Sequence, residues 1–185
     1  MKKSSEHTAP NRNHPIANVA SCDNAPIGIF DSGYGGLTVA REIAKLLPNE
    51  TIYYFGDTAR CPYGQRPLDE VDGFVQQICS WLVRNNGVKM LVIACNTATA
   101  AGLQHAQRAF DVPVLGAVEP GARAAARVTH NRKVGVIATK ATVESGVYSR
   151  SATSMQASPS SQRQPPASSR LSNRVCACPK AQSKI

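Results

Sequence analysis

Hydrophobic and polar positions follow two alternating patterns along the chain from Pro26 onward. Short apolar runs typical of strands are followed by segments with an apolar residue every three or four positions, which is typical of amphipathic helices. The pattern predicts strands at 27–30, 51–55, 89–94, 114–118 and 133–138. It predicts helices at 37–47, 68–86, 97–110 and 120–128, and the start of another at 141–149.

The predicted strands lack the in/out alternation of strands that have one face in water. Continuous apolar strands joined by helices indicate a parallel sheet that is covered on both faces. We therefore expect an α/β fold over 26–150, with one parallel sheet flanked by helices. Ligands of such sheets bind beyond the carboxyl ends of the strands, so polar residues at those ends are the candidates for a site.

Two segments do not share this pattern. Residues 1–25 are polar and show no periodicity, and we expect a disordered extension there. Residues 151–185 hold nine Ser and four Pro and no aromatic or acidic residue. Such a segment cannot bury enough apolar surface to offset the entropy lost on ordering, so we predict a disordered tail. A translated frameshift is one explanation of its composition.

The net charge of +9 is concentrated in that tail, which carries five basic residues. It is therefore weak evidence for a folded nucleic-acid surface, and nucleic-acid binding is not expected as the main function. No apolar run approaches the roughly 20 residues that span a membrane. Residues 1–23 lack the apolar stretch of a secretory signal, and we expect a cytoplasmic protein that does not bind membranes.

The cysteines have none of the common paired spacings. They are Cys22, Cys61, Cys79, Cys95, Cys176 and Cys178. Because no CxxC pair occurs, zinc-finger and thioredoxin motifs are absent, and we predict no metal site. A metal role for the CxC in the tail stays open beside the simpler interpretation of two incidental thiols.

A glycine-rich turn follows the first strand, with the sequence DSGYGG over 31–36. A dinucleotide fingerprint would need Gly where Thr38 stands, and the Asp31 carboxylate would repel a pyrophosphate. Asp57 does resemble the ribose-binding acid of that fingerprint. A nucleotide site and a turn without a ligand remain alternatives. The favoured interpretation is a small polar ligand whose ammonium group meets Asp31, with Ser32 and backbone N–H groups left for its carboxylates.

Cys95 lies between the most apolar strand and the following helix. A lone cysteine is often a small core residue, which is one interpretation. At a helix N-terminus, however, the helix dipole stabilises a thiolate, and Asn96 and Thr97 add hydrogen-bond donors beside it. A reactive thiol is the other interpretation.

Four stretches of the sequence together resemble the signatures of glutamate racemases. They read IGIFDSGYGGLTV at 27–39, YFGDTA at 54–59, PYG at 62–64 and VIACNTA at 92–98. The resemblance covers about 26–150 and implies the N-terminal lobe of an aspartate/glutamate racemase-like fold, with the start of a second lobe. It also implies interconversion of L- and D-glutamate without a cofactor, which provides D-glutamate for peptidoglycan.

The resemblance implies a role for each matching residue. Cys95 matches the first of two catalytic cysteines, which add and remove the α-proton on opposite faces of the substrate. Asp31 matches a residue that contacts the substrate and assists this cysteine. The further substrate contacts that the resemblance implies are Ser32, Tyr63, Gly64, Asn96, Thr97, Thr139 and Thr142.

The sequence departs from the family's pattern at the second cysteine. The family places it in a Leu-Gly-Cys-Thr-His motif, which this sequence lacks. We therefore expect a truncated or frameshifted chain with little or no racemisation. A non-catalytic fragment or partner-binding protein stays open as an alternative, since some glutamate racemases bind DNA gyrase. An aspartate racemase or another amino-acid racemase of the same superfamily is a further alternative. A homodimer also stays open.

Overall fold

Four parallel strands form the central sheet in the computed structural model, which describes residues 24–131, 133–154 and 174–177. The strands are β1 Ile27–Asp31, β2 Ile52–Gly56, β3 Met90–Ile93 and β4 Val114–Gly116. Their order across the sheet is β2-β1-β3-β4. Ile29 of β1 lies opposite Tyr54 of β2 on one side and Val92 of β3 on the other. The predicted α/β fold with a parallel sheet is confirmed.

Helices connect these strands, as the hydrophobic pattern predicts. They are α1 Leu37–Leu46, α2 Leu68–Asn86, α3 Asn96–Ala109 and α4 Val118–Val128. The loop before α2 contains a single 3₁₀ turn, Tyr63–Gln65. Gly87 caps the end of α2; its backbone is left-handed with φ 58°, and its N–H bonds to carbonyl groups of the last turn. Glycine adopts this conformation without steric cost, which explains why the helix stops there.

The sheet has an apolar cluster on each face. On one face, Ile27, Ile29, Val92 and Ala94 pack against Val39, Ala40 and Ile43 of α1. On the other face, Phe30, Leu91 and Ile93 pack against α2 and α3, whose buried residues include Val71, Val75, Ile78, Leu82 and Ala98. Alternate residues of β1 and β3 therefore serve opposite clusters, which explains why these strands are apolar throughout.

The fifth predicted strand does not join the central sheet, contrary to the expectation of one five-stranded sheet. β5, Gly135–Ala138, instead pairs in parallel with β6, Arg174–Ala177. β5 is only partly covered, and the Ile137 side chain is 83% exposed. An apolar run indicates a strand but does not indicate its neighbour, since strand pairing depends on contacts that are distant in sequence.

The last helical segment is divided in two, where the sequence pattern predicts the start of one helix. α5 spans Lys140–Glu144 and α6 spans Val147–Ser154. Gly146, with φ 64°, makes the break between them. The end of α6 and all of β6 lie beyond position 150, where the composition predicts a disordered tail. The other residues of the two predicted extensions lie outside the described part of the chain.

Within the described ranges, none of the helices has the length and apolar character needed to cross a membrane.

Candidate active site

The carboxyl ends of β1 and β3 bring Asp31 and Cys95 to the same edge of the sheet. Asp31 is the last residue of β1, and Cys95 is the N-cap of α3, two residues after the end of β3. β1 and β3 are hydrogen-bonded neighbours, so both residues lie at adjacent strand ends. Both are buried, with exposed fractions of 6% and 8%. This placement agrees with the rule that ligands bind beyond the strand ends.

The Cys95 sulfur lies between a polar edge and an apolar cluster. It accepts a hydrogen bond from the Ala98 N–H at 3.4 Å, and its thiol donates to the Ser32 hydroxyl oxygen at 3.5 Å. The rest of the side chain belongs to the cluster that contains Phe30 and Ile93. The N-terminus of α3 therefore faces the sulfur, where the helix dipole stabilises a negative charge. The arrangement combines both interpretations of this cysteine: it is buried, and its sulfur is bonded by polar groups.

The glycine-rich turn holds the Asp31 carboxylate in place. Its Oδ2 accepts the Gly33 N–H at 3.0 Å, so this backbone donor is already used within the turn. A Cβ on Gly36 would lie 2.7 Å from the Asp31 Cβ and 2.8 Å from the Ala94 Cβ. Only glycine fits there, and the turn can pass directly over the end of β3 because the position has no side chain.

Tyr54 supports the turn from β2 and was not among the residues predicted for the site. Its hydroxyl donates to the Gly33 carbonyl oxygen at 2.9 Å. Burial, together with the nearby Asp31 and Cys95, raises the pKa of Tyr54 to about 12. The hydroxyl therefore stays protonated and remains a donor. Tyr54 lies within the YFGDTA stretch, but that motif does not say where its hydroxyl points.

Tyr63, predicted as a substrate contact, is buried with its hydroxyl turned toward Asp57. The hydroxyl donates to the Asp57 Oδ2, and the Arg60 Nε donates to the same oxygen at 2.6 Å. Burial raises the pKa of Tyr63, and the hydrogen bond to Asp57 adds to the effect. The Arg60 guanidinium also lies 4.3 Å above the ring of Phe74. Asp57 thus anchors the loop, and the side of the loop that faces the site is its backbone at Gly64.

Three threonine hydroxyls meet beside this backbone. Thr97 lies 3.0 Å from Thr139 and 3.3 Å from Thr142, and Thr139 lies 3.0 Å from Thr142, measured between Oγ1 atoms. Thr97 and Thr142 are buried, whereas Thr139 is exposed. A Cβ on Gly64 would lie 2.4 Å from the Thr139 Cγ2, so the loop backbone packs directly on Thr139. The structure therefore brings four of the predicted site residues together from three parts of the chain.

Asn96 lies at the first position of α3 and is exposed. Its Oδ1 accepts a hydrogen bond from the Tyr148 hydroxyl at 3.0 Å. Tyr148 is in α6 and is not among the residues that the sequence predicts for the site. No motif contains Tyr148, and its contact with Asn96 joins residues 52 positions apart, so local sequence does not indicate it.

Two other described cysteines differ from Cys95 in their surroundings. Cys79 is fully buried in α2, and burial raises the pKa of its thiol to about 12, so it stays protonated. Cys61 is exposed in the loop before the 3₁₀ turn. Among the described residues, no three His, Cys, Asp or Glu side chains form a group that could hold a metal ion. The alternative of a metal at Cys176 and Cys178 concerns side chains outside the described part.

The Asp/Glu/Hydantoin racemase family model matches residues 27–178 of the chain. A glutamate racemase from Lysinibacillus sphaericus is 56% identical over 135 residues, which are 73% of this chain and 51% of the relative. A glutamate racemase from Staphylococcus haemolyticus is 55% identical over 125 residues, or 68% of this chain and 47% of the relative. The chain spans about half the length of the curated relatives it matches.

Solved structures show the same similarity. A glutamate racemase isoform from Bacillus anthracis superposes with a TM-score of 0.74 at 43% identity, covering 84% of this chain and 53% of that one. A glutamate racemase from Francisella tularensis in complex with D-glutamate superposes with a TM-score of 0.66 at 40% identity, covering 71% of this chain and 49% of that one. The predicted resemblance is confirmed at the level of sequence and fold.

Proposed function

Because the chain belongs to the Asp/Glu/Hydantoin racemase family, we propose that it binds glutamate and that Cys95 moves the α-proton of this substrate. The observation that carries the proposal is the environment of the Cys95 sulfur. The sulfur is bonded to the Ala98 N–H and the Ser32 hydroxyl, at the strand end next to Asp31. A base buried beside a helix N-terminus can take a proton and be left as a neutral thiol.

The polar groups around Cys95 match the charges of an α-amino dicarboxylate. Asp31 supplies a negative charge for the substrate ammonium group. Hydrogen bonds for its carboxylates come from Ser32, the Gly64 backbone, the Asn96 amide and the cluster of Thr97, Thr139 and Thr142. The relatives named glutamate racemase, and the Francisella tularensis structure in complex with D-glutamate, favour glutamate among amino acids.

The proton transfer requires no cofactor in this proposal. The Cys95 thiolate removes the α-proton, and the electron pair stays on the α-carbon. The S–H proton then exchanges with solvent, and the thiol returns a solvent-derived proton to the same carbon. Inversion needs a second acid on the opposite face of the substrate. This sequence lacks the Leu-Gly-Cys-Thr-His motif that carries the second cysteine in the resemblance. Cys79 is buried in the core behind the sheet and cannot serve as that acid.

We therefore propose that the chain itself exchanges the α-proton of one enantiomer for a solvent proton, which is added to the same face of the α-carbon. Racemisation, and the supply of D-glutamate for peptidoglycan in the cytoplasm, is the proposed role of the family's complete two-base site.

The test incubates the purified chain with L-glutamate or D-glutamate in D₂O. Loss of the α-proton signal is followed by ¹H NMR, and the enantiomers are separated by chiral chromatography. The proposal predicts that one enantiomer becomes deuterated with its configuration retained, while the other stays protonated. No binding of either enantiomer, measured by isothermal titration calorimetry, would contradict the proposal. Deuteration of both at equal rates would contradict the one-base form of it.

A further inference from the structure

A tyrosine outside all the resemblance motifs reaches the residue next to Cys95. The Tyr148 hydroxyl, in α6, donates to the Asn96 Oδ1 at 3.0 Å. The ring of Tyr148 passes over Gly121 in α4, where an added Cβ would lie 3.8 Å from the ring Cε1 and 3.9 Å from the hydroxyl. The tyrosine is thus held by α4 and α6 while its hydroxyl contacts α3.

The hydrogen bond decides which side of the Asn96 amide is available. A side-chain amide has an acceptor oxygen and an NH₂ group with two donors, and free rotation would present either. With the oxygen bonded to Tyr148, the NH₂ group is directed away from the tyrosine. In the described part of the chain this NH₂ group has no hydrogen-bond partner, and Asn96 is exposed. The donors are therefore available to a ligand.

We propose that Tyr148 is a positioning residue that orients the Asn96 amide so that its NH₂ group donates to a carboxylate of the bound amino acid. The inference rests on the proposed glutamate site and adds to it a residue from the segment after β5. Tyr148 acts through Asn96 and does not itself contact the substrate.

The protonation state of Tyr148 supports this role. Burial raises the pKa of its hydroxyl, which therefore remains a donor throughout the neutral range. A hydroxyl that stays protonated at neutral pH keeps the oxygen of Asn96 hydrogen-bonded and leaves the NH₂ side of the amide for an anionic group. A substrate ammonium would instead need that oxygen.

The experiment measures Kd for D-glutamate and L-glutamate with the full chain by isothermal titration calorimetry. Tyr148→Phe removes only the hydroxyl, and we expect it to raise the Kd of the enantiomer that the unchanged chain binds about three- to tenfold. Tyr53→Phe is the matched control, because Tyr53 is on the edge strand β2 and is 44% exposed. We expect its Kd to equal that of the unchanged chain.

A double-mutant cycle separates positioning from a general structural effect. If Tyr148 acts through Asn96, Tyr148→Phe has no further effect on Kd when Asn96 is already Ala. An equal loss of affinity in the Asn96→Ala background, or an unchanged Kd in Tyr148→Phe alone, would overturn the inference. Thermal unfolding of each variant shows that the binding measurements are made on folded protein.

A readout without ligand keeps the inference separate from the proposed function. The side-chain NH₂ resonances of Asn96, assigned by their loss in Asn96→Ala, should shift in Tyr148→Phe and not in Tyr53→Phe. If the unchanged chain binds neither enantiomer, the proposed function fails, and the NH₂ resonances remain as the test of the hydrogen bond between Tyr148 and Asn96. No shift in Tyr148→Phe would then overturn the positioning role.

Discussion

The sulfur of Cys95 lies 3.5 Å from the hydroxyl oxygen of Ser32, although the two residues are 63 positions apart in the sequence. The contact exists because β1 and β3 are parallel neighbours whose carboxyl ends open at the same edge of the sheet. Ser32 follows β1 directly, and Cys95 follows β3. A hydroxyl there can accept a hydrogen bond from the thiol and donate one to the thiolate, so it can bond the sulfur in both protonation states.

Ser32→Ala removes this partner and leaves the Ala98 N–H as the hydrogen-bond donor to the sulfur. We expect α-proton exchange at saturating glutamate to slow about three- to tenfold, the ordinary value of one hydrogen bond. The rate is measured by ¹H NMR in D₂O. Ser80→Ala, on α2, is the control and should leave the rate unchanged. Equal rates in the two variants would show that Ser32 does not assist the thiol.

Gly64→Ala tests the close packing of the loop on the threonine cluster. The new Cβ would lie 2.4 Å from the Thr139 Cγ2 and 2.7 Å from the Thr139 Cβ. Rotation about χ1 moves the Thr139 Cγ2 but not the Thr139 Cβ, which is attached directly to the backbone, so the conflict with the Cβ remains. We expect a loss of about 1–3 kcal/mol in the free energy of unfolding, measured with urea.

Gly73→Ala is the matched glycine control. Nothing lies within 4 Å of an added Cβ at this position, which is exposed in the interior of α2. Alanine should therefore stabilise the helix by about 0.5–1 kcal/mol. The opposite signs of the two changes distinguish steric conflict at Gly64 from a general effect of replacing glycine. A free energy of unfolding in Gly64→Ala that equals or exceeds that of the unchanged chain would contradict the close packing of Gly64 on Thr139.

Cys79 should make stability depend on pH in the alkaline range. Burial raises the pKa of its thiol from 9.0 to about 12 in the folded chain. More than about one pH unit below 9, the thiol is protonated in both the folded and the unfolded chain and contributes almost no pH dependence. As pH rises from 9 toward 12 the unfolded chain loses this proton first, so the free energy of unfolding falls, by about 1 kcal/mol at pH 10.

Urea unfolding in the presence of a reductant, from pH 8 to pH 10, measures this dependence. The decline should be shallower in Cys79→Ala than in the unchanged chain, even if that variant is less stable at every pH. Cys61→Ala removes an exposed thiol and should keep the full decline. A Cys79→Ala variant with the same slope would show that another group causes the alkaline loss.

Local pattern was sufficient for the four strands of the central sheet, for α1 to α4 and for the position of Asp31 and Cys95. Their convergence follows from parallel strands with helical crossovers, because such strands all end at one edge of the sheet. The pattern could not place β5, since its partner β6 lies in a segment whose composition predicts no strand. It also could not show that the Tyr63 hydroxyl bonds to Asp57 or that Tyr148 bonds to Asn96. Those contacts depend on how loops and helices pack, which no periodicity records.

The role of Cys95 as the base is tested by comparing Cys95→Ser with Cys61→Ser in the D₂O exchange experiment. Serine keeps the size of the side chain but is a far weaker acid than a thiol, so it cannot supply the thiolate base. Cys61 is exposed, and its sulfur makes no hydrogen bond among the described residues, so Cys61→Ser should exchange one enantiomer at the rate of the unchanged chain. We expect Cys95→Ser to bind glutamate and to exchange no α-proton. Exchange that continues at an undiminished rate in Cys95→Ser would contradict this role of Cys95.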